Sequence, residues 1–317
     1  MTPRDPADGW VDGPRGRFWG RAGAAGLLAV HDDRVLLQHR VGWSHFGGTW
    51  GLPGGARGLG EGAVDGALRE SAEEAAVPRD ALRLVSTSVL DLGYWSYTTV
   101  VARVTRPFDP VVSDAESTAL EWVPVDRVDA SPLHPGLAAS WPGLRDRLGR
   151  RLRLVVDAAN VVGSRPDGWW RDRAGATDRL LDRLGALSAS GVTARWAGLG
   201  DVEVGGALTV SGDSGTVEGG VAEVPGGDAP VPRLDRVWPD VTVVVEGRAR
   251  DVADREGDLE VVRAAGSGDD AVVEVLRAGG GDDLVVVTAD RELGERVRAE
   301  GAHVVRPSAL LDLLPAD

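Results

Sequence analysis

Cysteine is absent from the 317 residues. Its absence excludes a disulfide framework, a thiolate nucleophile and any zinc site built on sulfur, and it suits a reducing compartment. A metal, if bound, must sit on oxygen or imidazole. Lysine is absent as well, so all 35 cationic side chains are arginines, which we read as a compositional bias alongside the abundance of Ala, Gly, Val and Asp. Against 49 acidic residues the formal net charge is −14. Phosphate neutralisation needs cationic surface, so broad nucleic-acid binding is disfavoured and duplex DNA is not an expected partner, while a local basic patch stays open. No apolar run approaches the roughly 20 residues of a membrane span. The polar, Gly/Pro-rich opening MTPRDPADGWVDGPRGRFWG does not have the pattern of a signal peptide. The expectation is a cytoplasmic protein without a membrane partner.

At about 150 residues per domain the length suggests two domains. Residues 1–19 read as a loose, flexible tail. AGAAGLLAV and RVLLQHR, joined by HDD, read as a strand hairpin, followed by the Gly-rich loop GWSHFGGTWGLPGG. From about Gly62 to Ala75 the period becomes helical, with Val64, Leu68, Ser71 and Ala75 on one face. Strand-like segments LRLVSTSVLDL, SYTTVVARV and TALEWVPV and a closing helix complete an α/β domain over 20–148. A second domain over 151–317 opens on RLRLVVD, an apolar run typical of a strand buried on both faces. Helices and strands then alternate, which implies a mainly parallel sheet with helices on both faces. Residues 199–237 interrupt this order and read as an insertion, part hairpin and part loop.

The stretch 54–77, GGARGLGEGAVDGALRESAEEAAV, is the most informative. On a helix, Glu70, Glu73 and Glu74 share an arc of roughly 100°, where like charges repel unless a cation binds them. Hard oxygens in this number suit Mg²⁺ or Mn²⁺. A solvated acidic face would explain the three glutamates alone, but not the residues before them. Gly55, five residues, Glu61, seven residues, then Arg69-Glu70, with Glu73, Glu74 and Val77, resemble the Nudix box, G-x5-E-x7-R-E-U-x-E-E-x-G-U. Ser71 stands where an aliphatic residue is usual and Ala76 replaces the last glycine. The resemblance spans about 130 residues and implies a Nudix α/β/α sandwich with a mixed sheet.

It also implies a hydrolase that splits a phosphoanhydride bond in a nucleoside di- or triphosphate-type substrate, including oxidised dNTPs. Glu70, Glu73, Glu74 and the Gly55 carbonyl become metal ligands, and the water-activating base falls within this cluster, with Arg69 and Glu61 beside it. A further acid is sought among Glu121, Glu116 and Asp114, which read equally well as surface charges before a strand. For substrate contacts, Trp43, His45 and Phe46 are candidates to stack a base and Arg40 to meet a phosphate, while Trp50 beside Leu52 reads as core.

In the second half, Asp157, Glu246 and Asp290 follow apolar strands, and Asp269 and Asp270 open a helix. The carboxyl ends of parallel strands line a ligand crevice, so these acids make a candidate site for Mg²⁺ or Mn²⁺ and in-line phosphodiester cleavage. Asp269 and Asp290 also sit where helix N-caps belong. DAANVVGSRPDGWW, VVVEG, GSGDDAVVEVL and VVTADRELGERVRAEGAHVV are similar to the NYN branch of PIN-like nucleases. The resemblance implies Asp157, Asp270 and Asp290 as ligands, with Asn160, Glu246 and Asp269 in support. Ala158, where that family often has glycine, departs from it. From Arg145 to Arg183 ten arginines face six aspartates around Trp169 and Trp170. An aromatic pair among arginines suits single-stranded RNA; equally, the tryptophans anchor the loop and the arginines pair with their neighbours. Two alternatives remain beside the leading reading of two fused enzymes. The C-terminal domain is a non-catalytic RNA- or partner-binding module, or the Nudix domain senses a nucleotide and regulates its neighbour.

Overall fold

The computed structural model describes residues 6–165, 168–206, 230–255, 259–279 and 282–315. The chain forms two compact units, Met1–Leu148 with Asp201–Asp235 and Gly149–Gly200 with Arg236–Asp317. The first is built on a mixed sheet and the second on a parallel one.

The first unit opens on a hairpin, β1 (Trp10–Gly13) and β2 (Gly16–Trp19), in which Trp10 pairs with Trp19. This corrects the expected loose tail for residues 10–19. An Asp-Gly-Pro-Arg-Gly turn with tryptophan at both ends outweighs the Gly/Pro-rich composition, and Gly16 takes φ 115° there. Next come β3 (Ala24–His31), β4 (Arg34–Arg40), β5 (Trp50–Gly51), β6 (Gly54–Ala56), α1 (Ala63–Ala75), β7 (Leu82–Asp91), β8 (Ser96–Val104), β9 (Ser117–Pro124) and α2 (Pro135–Arg147). The expected β3–β4 hairpin holds for two residue pairs, Val30–Val35 and His31–Arg34. The strands then part. β3 runs parallel to β8 and pairs its start with β6, while β4 pairs with β9 and β5. Through β6, the loop that precedes α1 becomes part of the sheet.

The period of α1 places Ala67, Leu68 and Ala75 against Ala25, Leu27, Leu36 and Val100, all buried. Ser71, at a position where an aliphatic is usual, is fully buried there and returns its hydroxyl to the Leu68 carbonyl at 3.1 Å. The helix ends on Ala76 in the left-handed region, φ 53° and ψ 32°, with its N–H bonded to the Ala72 carbonyl. Of the expected insertion, 207–229 lie outside the described residues. Its described ends approach as a hairpin base, with Val204 N–H on the Pro232 carbonyl at 2.7 Å and Leu234 N–H on that of Val202 at 2.9 Å.

In the second unit β10 (Leu152–Asp157), α3 (Ala158–Gly163), α4 (Arg173–Ser190) and β11 (Val192–Thr193) are followed by β12 (Arg233–Val237), which crosses the boundary between the units at Arg236, and then by β13 (Asp240–Val245) and β14 (Leu259–Arg263). They are followed by α5 (Gly268–Ala278), β15 (Asp283–Val287), α6 (Arg291–Ala299) and β16 (His303–Val305). The parallel order is β14-β13-β10-β15-β16. In the order these five occur along the chain, that is 3-2-1-4-5, so the winding reverses between β10 and β15, where open α/β sheets have their ligand crevice.

The left-handed Ala76 yields a first prediction. A Cβ in this region costs about 1–2 kcal/mol, partly offset because glycine loses more entropy on folding. Ala76→Gly is expected to raise the unfolding free energy by about 1 kcal/mol in urea denaturation. An unchanged or lower value would show that the Ala76 methyl is held by packing.

Candidate active site

Packing of α1 on the sheet carries one of its carboxylates inside. Glu74 lies beside Ala75 and is 7% exposed, and its Oε2 accepts the Gly54 N–H at 2.8 Å. A side chain at Gly54 has no room, since a Cβ there would lie 2.4 Å from the Ala25 carbonyl oxygen.

Arg69 organises the remaining acids. Its Nε and Nη2 donate to the two oxygens of Glu61, both at 2.9 Å, and its Nη1 donates to Glu70 at 2.8 Å and Glu73 at 3.3 Å. A further bond to the Ala56 carbonyl at 3.1 Å ties the guanidinium to β6. The bidentate Arg69 contact brings the Glu61 carboxyl down to about 2. Glu70 moves the other way, because burial outweighs its share of Arg69. Glu74, beyond the reach of Arg69, is pushed by burial up to about 8, with the Gly54 N–H compensating in part and Glu70 and Asp114 adding repulsion.

A second segment completes the group. Before β9 the chain passes the end of α1, where Val111 N–H meets the Ala75 carbonyl at 3.2 Å and Ser113 N–H that of Glu74 at 3.1 Å. This placement brings Asp114 and Glu116 to Glu74, with ligand oxygens all within 4.8 Å of one another. Glu121 is not brought there. It pairs with Leu37, whereas Gln38 and Leu120 form the next pair on the opposite face, the one that α1 covers. Glu74, Asp114 and Glu116 have no cationic partner among the described residues. Three oxygen donors around a buried, uncompensated carboxylate fit a hard divalent cation.

The candidate substrate residues line the loop between β4 and β5. Arg40 Nε holds the His45 carbonyl at 3.2 Å. Phe46 packs edge-on to His45 and His134, with centroids 4.1 and 4.9 Å away, and Trp43 stands 69% exposed. Trp50 is half-buried against His39. His134, pushed down to about 4 by burial and by Arg40, is neutral near pH 7 and caps α2 through Nδ1. Sequence reasoning missed Trp10, whose ring lies 5.5 Å from His45 and 4.8 Å from the Arg17 guanidinium. The two tryptophans flanking a Gly-Pro turn were the available signal.

In the second unit Asp157 ends β10 at 8% exposure. It accepts from the Asn160 backbone N–H and Nδ2 at 3.1 and 2.6 Å and from Thr288 Oγ1 at 3.1 Å. Thr288 Oγ1 in turn accepts the Asp290 N–H, and Asp290 caps α6 through Leu293 N–H at 2.8 Å. Asp269 differs from the expected cap. Ser267 holds that position without a side-chain bond, and Glu246 reaches across to the Gly268 N–H at 3.0 Å. Burial raises the Asp157 and Asp269 carboxyls, and Asp290 and Asp157 add to the rise at Asp269. Asp270 is turned to Arg296 at 2.6 Å. Among the described residues these acids do not form a three-carboxylate group as tight as that of the first unit. Trp169 carries Arg173 over its ring at 5.0 Å, and Trp170 is 56% exposed.

The NUDIX domain family matches residues 20–143. A protein of Mycobacterium tuberculosis named "Putative 8-oxo-dGTP diphosphatase 3" is 49% identical over 154 residues, covering 45% of this chain and 70% of the relative. A nucleoside triphosphate pyrophosphatase/Nudix hydrolase fusion protein of Bifidobacterium longum is 42% identical over 153 residues, 45% of this chain and 32% of its own length. Among solved structures, RenU, a Nudix hydrolase of M. smegmatis, is 46% identical and aligns with 44% of this chain and 93% of that one, at a TM-score of 0.41.

Burial of Glu74 makes stability depend on pH. Its folded-state carboxyl titrates at about 8 against an ordinary 4.5, so the folded chain keeps a proton that the unfolded chain releases. Its contribution therefore falls as pH rises from about 4.5 through 8, and is neutral below that window. In metal-free buffer, Glu74→Gln is expected to melt higher than the wild type by a margin that grows across this window and shrinks on adding Mg²⁺ or Mn²⁺. A margin independent of pH would contradict a desolvated, unpaired Glu74.

Proposed function

We propose that this chain, which belongs to the Nudix family through its N-terminal unit, splits a phosphoanhydride bond of a nucleoside di- or triphosphate-type substrate with the help of a divalent cation. The observation that carries the reading is the convergence of Glu74, Asp114 and Glu116 beside the Arg69-held glutamates. The 8-oxo-dGTP diphosphatase named among the relatives favours oxidised dNTPs within that class.

Glu74, Asp114 and Glu116 would hold the cation, and Glu70, Glu73 and the Gly55 carbonyl would be its further candidate ligands. Bound Mg²⁺ or Mn²⁺ supplies charge neutralisation at the phosphoryl oxygens and acidifies water. Arg69 fixes the orientation of Glu70 and Glu73 and is itself fixed by Glu61 and the Ala56 carbonyl. We assign the proton of the attacking water to Glu70, whose carboxyl lies above its ordinary range. Arg40, without a carboxylate partner among the described residues, faces phosphate, and Phe46 and Trp43 offer rings to the base. We place the protein in the cytoplasm, since a cysteine-free, oxygen-liganded enzyme of nucleotides belongs with its substrates.

A second reading concerns the second unit. Asp157 and Asp290 flank the reversal of winding and share Thr288, with Asp269 electrostatically coupled to both. This favours a second Mg²⁺ or Mn²⁺ site, with Glu246 in support and Asn160 positioning Asp157, for cleaving single-stranded RNA near Trp169 and Trp170. The competing role is an RNA- or partner-binding module whose acids act only as caps.

Two measurements separate these readings. Purified full-length protein with Mg²⁺ or Mn²⁺ is expected to hydrolyse members of a nucleotide panel, and Glu70→Gln is expected to lower kcat about 10²–10⁴-fold. No turnover on any nucleotide would sink the hydrolase reading. Asp290→Asn is expected to abolish cleavage of a labelled single-stranded RNA and leave nucleotide hydrolysis intact. If wild-type protein binds the RNA and never cuts it, the binding module replaces the nuclease. If Asp290→Asn only lowers stability, by about 1 kcal/mol, the residue is a cap.

A further inference from the structure

Gln38 is 1% exposed, and its carbonyl Oε1 has no hydrogen-bond partner among the described residues. A buried amide left half-satisfied costs about 1–3 kcal/mol, and an apolar side chain of similar size would avoid that cost. Its surroundings suggest what it does. β4 alternates Leu36, Gln38 and Arg40 on one face, and Leu36 on that face packs in the core under α1. Gln38 Nε2 donates to Ser117 Oγ at 2.5 Å, and Ser117 Oγ donates to Asp114 Oδ1 at 2.8 Å. Asp114 stands with Glu74 and Glu116 in the carboxylate group, so this chain of bonds ends at one of its oxygens.

The strand register is adjusted for this contact. Along β4 and β9, Gln38 pairs with Leu120 and His39 with Ala119, but Arg40 pairs with Ser117, so Thr118 is an extra residue. Such a bulge turns the following side chain to the other face of the strand. In unbroken register Ser117 would face away from Gln38. With the bulge it faces Gln38, and Thr118 is taken up by His39 through its hydroxyl. One backbone bond, Val41 N–H to the Glu116 carbonyl at 2.8 Å, holds the same segment from outside.

We propose that Gln38 is a positioning residue that holds Asp114 in the carboxylate group through Ser117, and so sets the affinity of that group for a divalent cation. The proposal rests on the hydrolase reading only in taking that group to be the cation site. A neutral amide suits the task. It donates to Ser117 without adding charge, and its carbonyl, without a partner among the described residues, stays available to water or cation. Hydrogen-bonding partners one step behind a metal's ligands typically change metal affinity 10–100-fold when removed.

The test is direct Mn²⁺ binding by the full-length chain, followed by electron paramagnetic resonance, beside melting curves with and without Mn²⁺. Gln38→Leu is expected to weaken Mn²⁺ binding about 10–100-fold and to shrink the Mn²⁺-induced rise in melting temperature, while melting in EDTA holds or rises. Ser117→Ala is expected to act in the same direction, and it decides the matter if Gln38→Leu does not fold. Gln38→Glu is expected to bind Mn²⁺ at least as well as Gln38→Leu yet to melt lower in EDTA, since it adds a carboxylate to the group. Wild-type Mn²⁺ affinity in both Gln38→Leu and Ser117→Ala, with only a uniform loss of melting temperature, would overturn the proposal and leave a structural amide. Absence of Mn²⁺ binding by the wild type would instead remove the cation site itself.

Discussion

A carboxylate buried without a cation is the constraint to which the rest of the first unit answers. Glu74 is carried inward by the same helical face that packs Leu68 and Ala75, so folding the core and desolvating the acid are one event. Arg69 lies on the other side of α1 and is occupied by Glu61, Glu70 and Glu73. What compensates Glu74 is neutral: the Gly54 N–H and the Gln38 amide. Neutral donors soften the cost of burial but do not cancel a charge. The packing energy of the sheet against α1 thus maintains a group whose charge no side chain balances, leaving a bound cation or a proton to do so.

Much of this was legible in the sequence where a feature repeats locally. The period of Val64, Leu68, Ser71 and Ala75 predicted the helix on which Glu70, Glu73 and Glu74 lie, and the apolar run at 152–156 predicted a strand buried on both faces. Arg69, four residues before Glu73 on that helix, donates to it at 3.3 Å. What was not legible depends on register and on distant contacts. Choosing Asp114 and Glu116 over Glu121 requires knowing which face of β9 meets α1 and that an extra Thr118 shifts it. The hairpin of residues 10–19 was hidden by Gly and Pro, whose turn-forming use is indistinguishable by composition from a tail.

The second unit shows why strand-end acids are ambiguous. Asp157 and Asp290 each bond a backbone N–H at a helix start, as a cap requires, and each also lies at the edge where parallel strands present ligand groups. The geometry of a cap leaves the second carboxylate oxygen unused. In Asp157 that oxygen is taken by Asn160 and Thr288, so its lone pairs are largely committed. The helix-start pair divides in the same way. Asp270 is neutralised by Arg296, while Asp269 faces Asp290 and Asp157 and is raised for that reason after burial. The family resemblance made Asp270 the ligand and Asp269 its support, whereas the neighbouring helix α6 brings Arg296 to Asp270 and leaves Asp269 facing Asp157 and Asp290.

Within one loop and one helix of the first unit stand a carboxyl near 2 and another near 8, Glu61 and Glu74. Their ordinary values are the same, so the difference measures environment alone. Glu61 is held bidentate by Arg69 and accepts the Gly58 N–H. It functions as the counter-charge that keeps Arg69 in place. Glu74 has burial without a counter-charge, which leaves it available to a cation and, in its absence, to a proton. Environments that push like groups apart mark a division of labour. Here the division runs between an acid that builds the frame and an acid that the frame keeps unpaired.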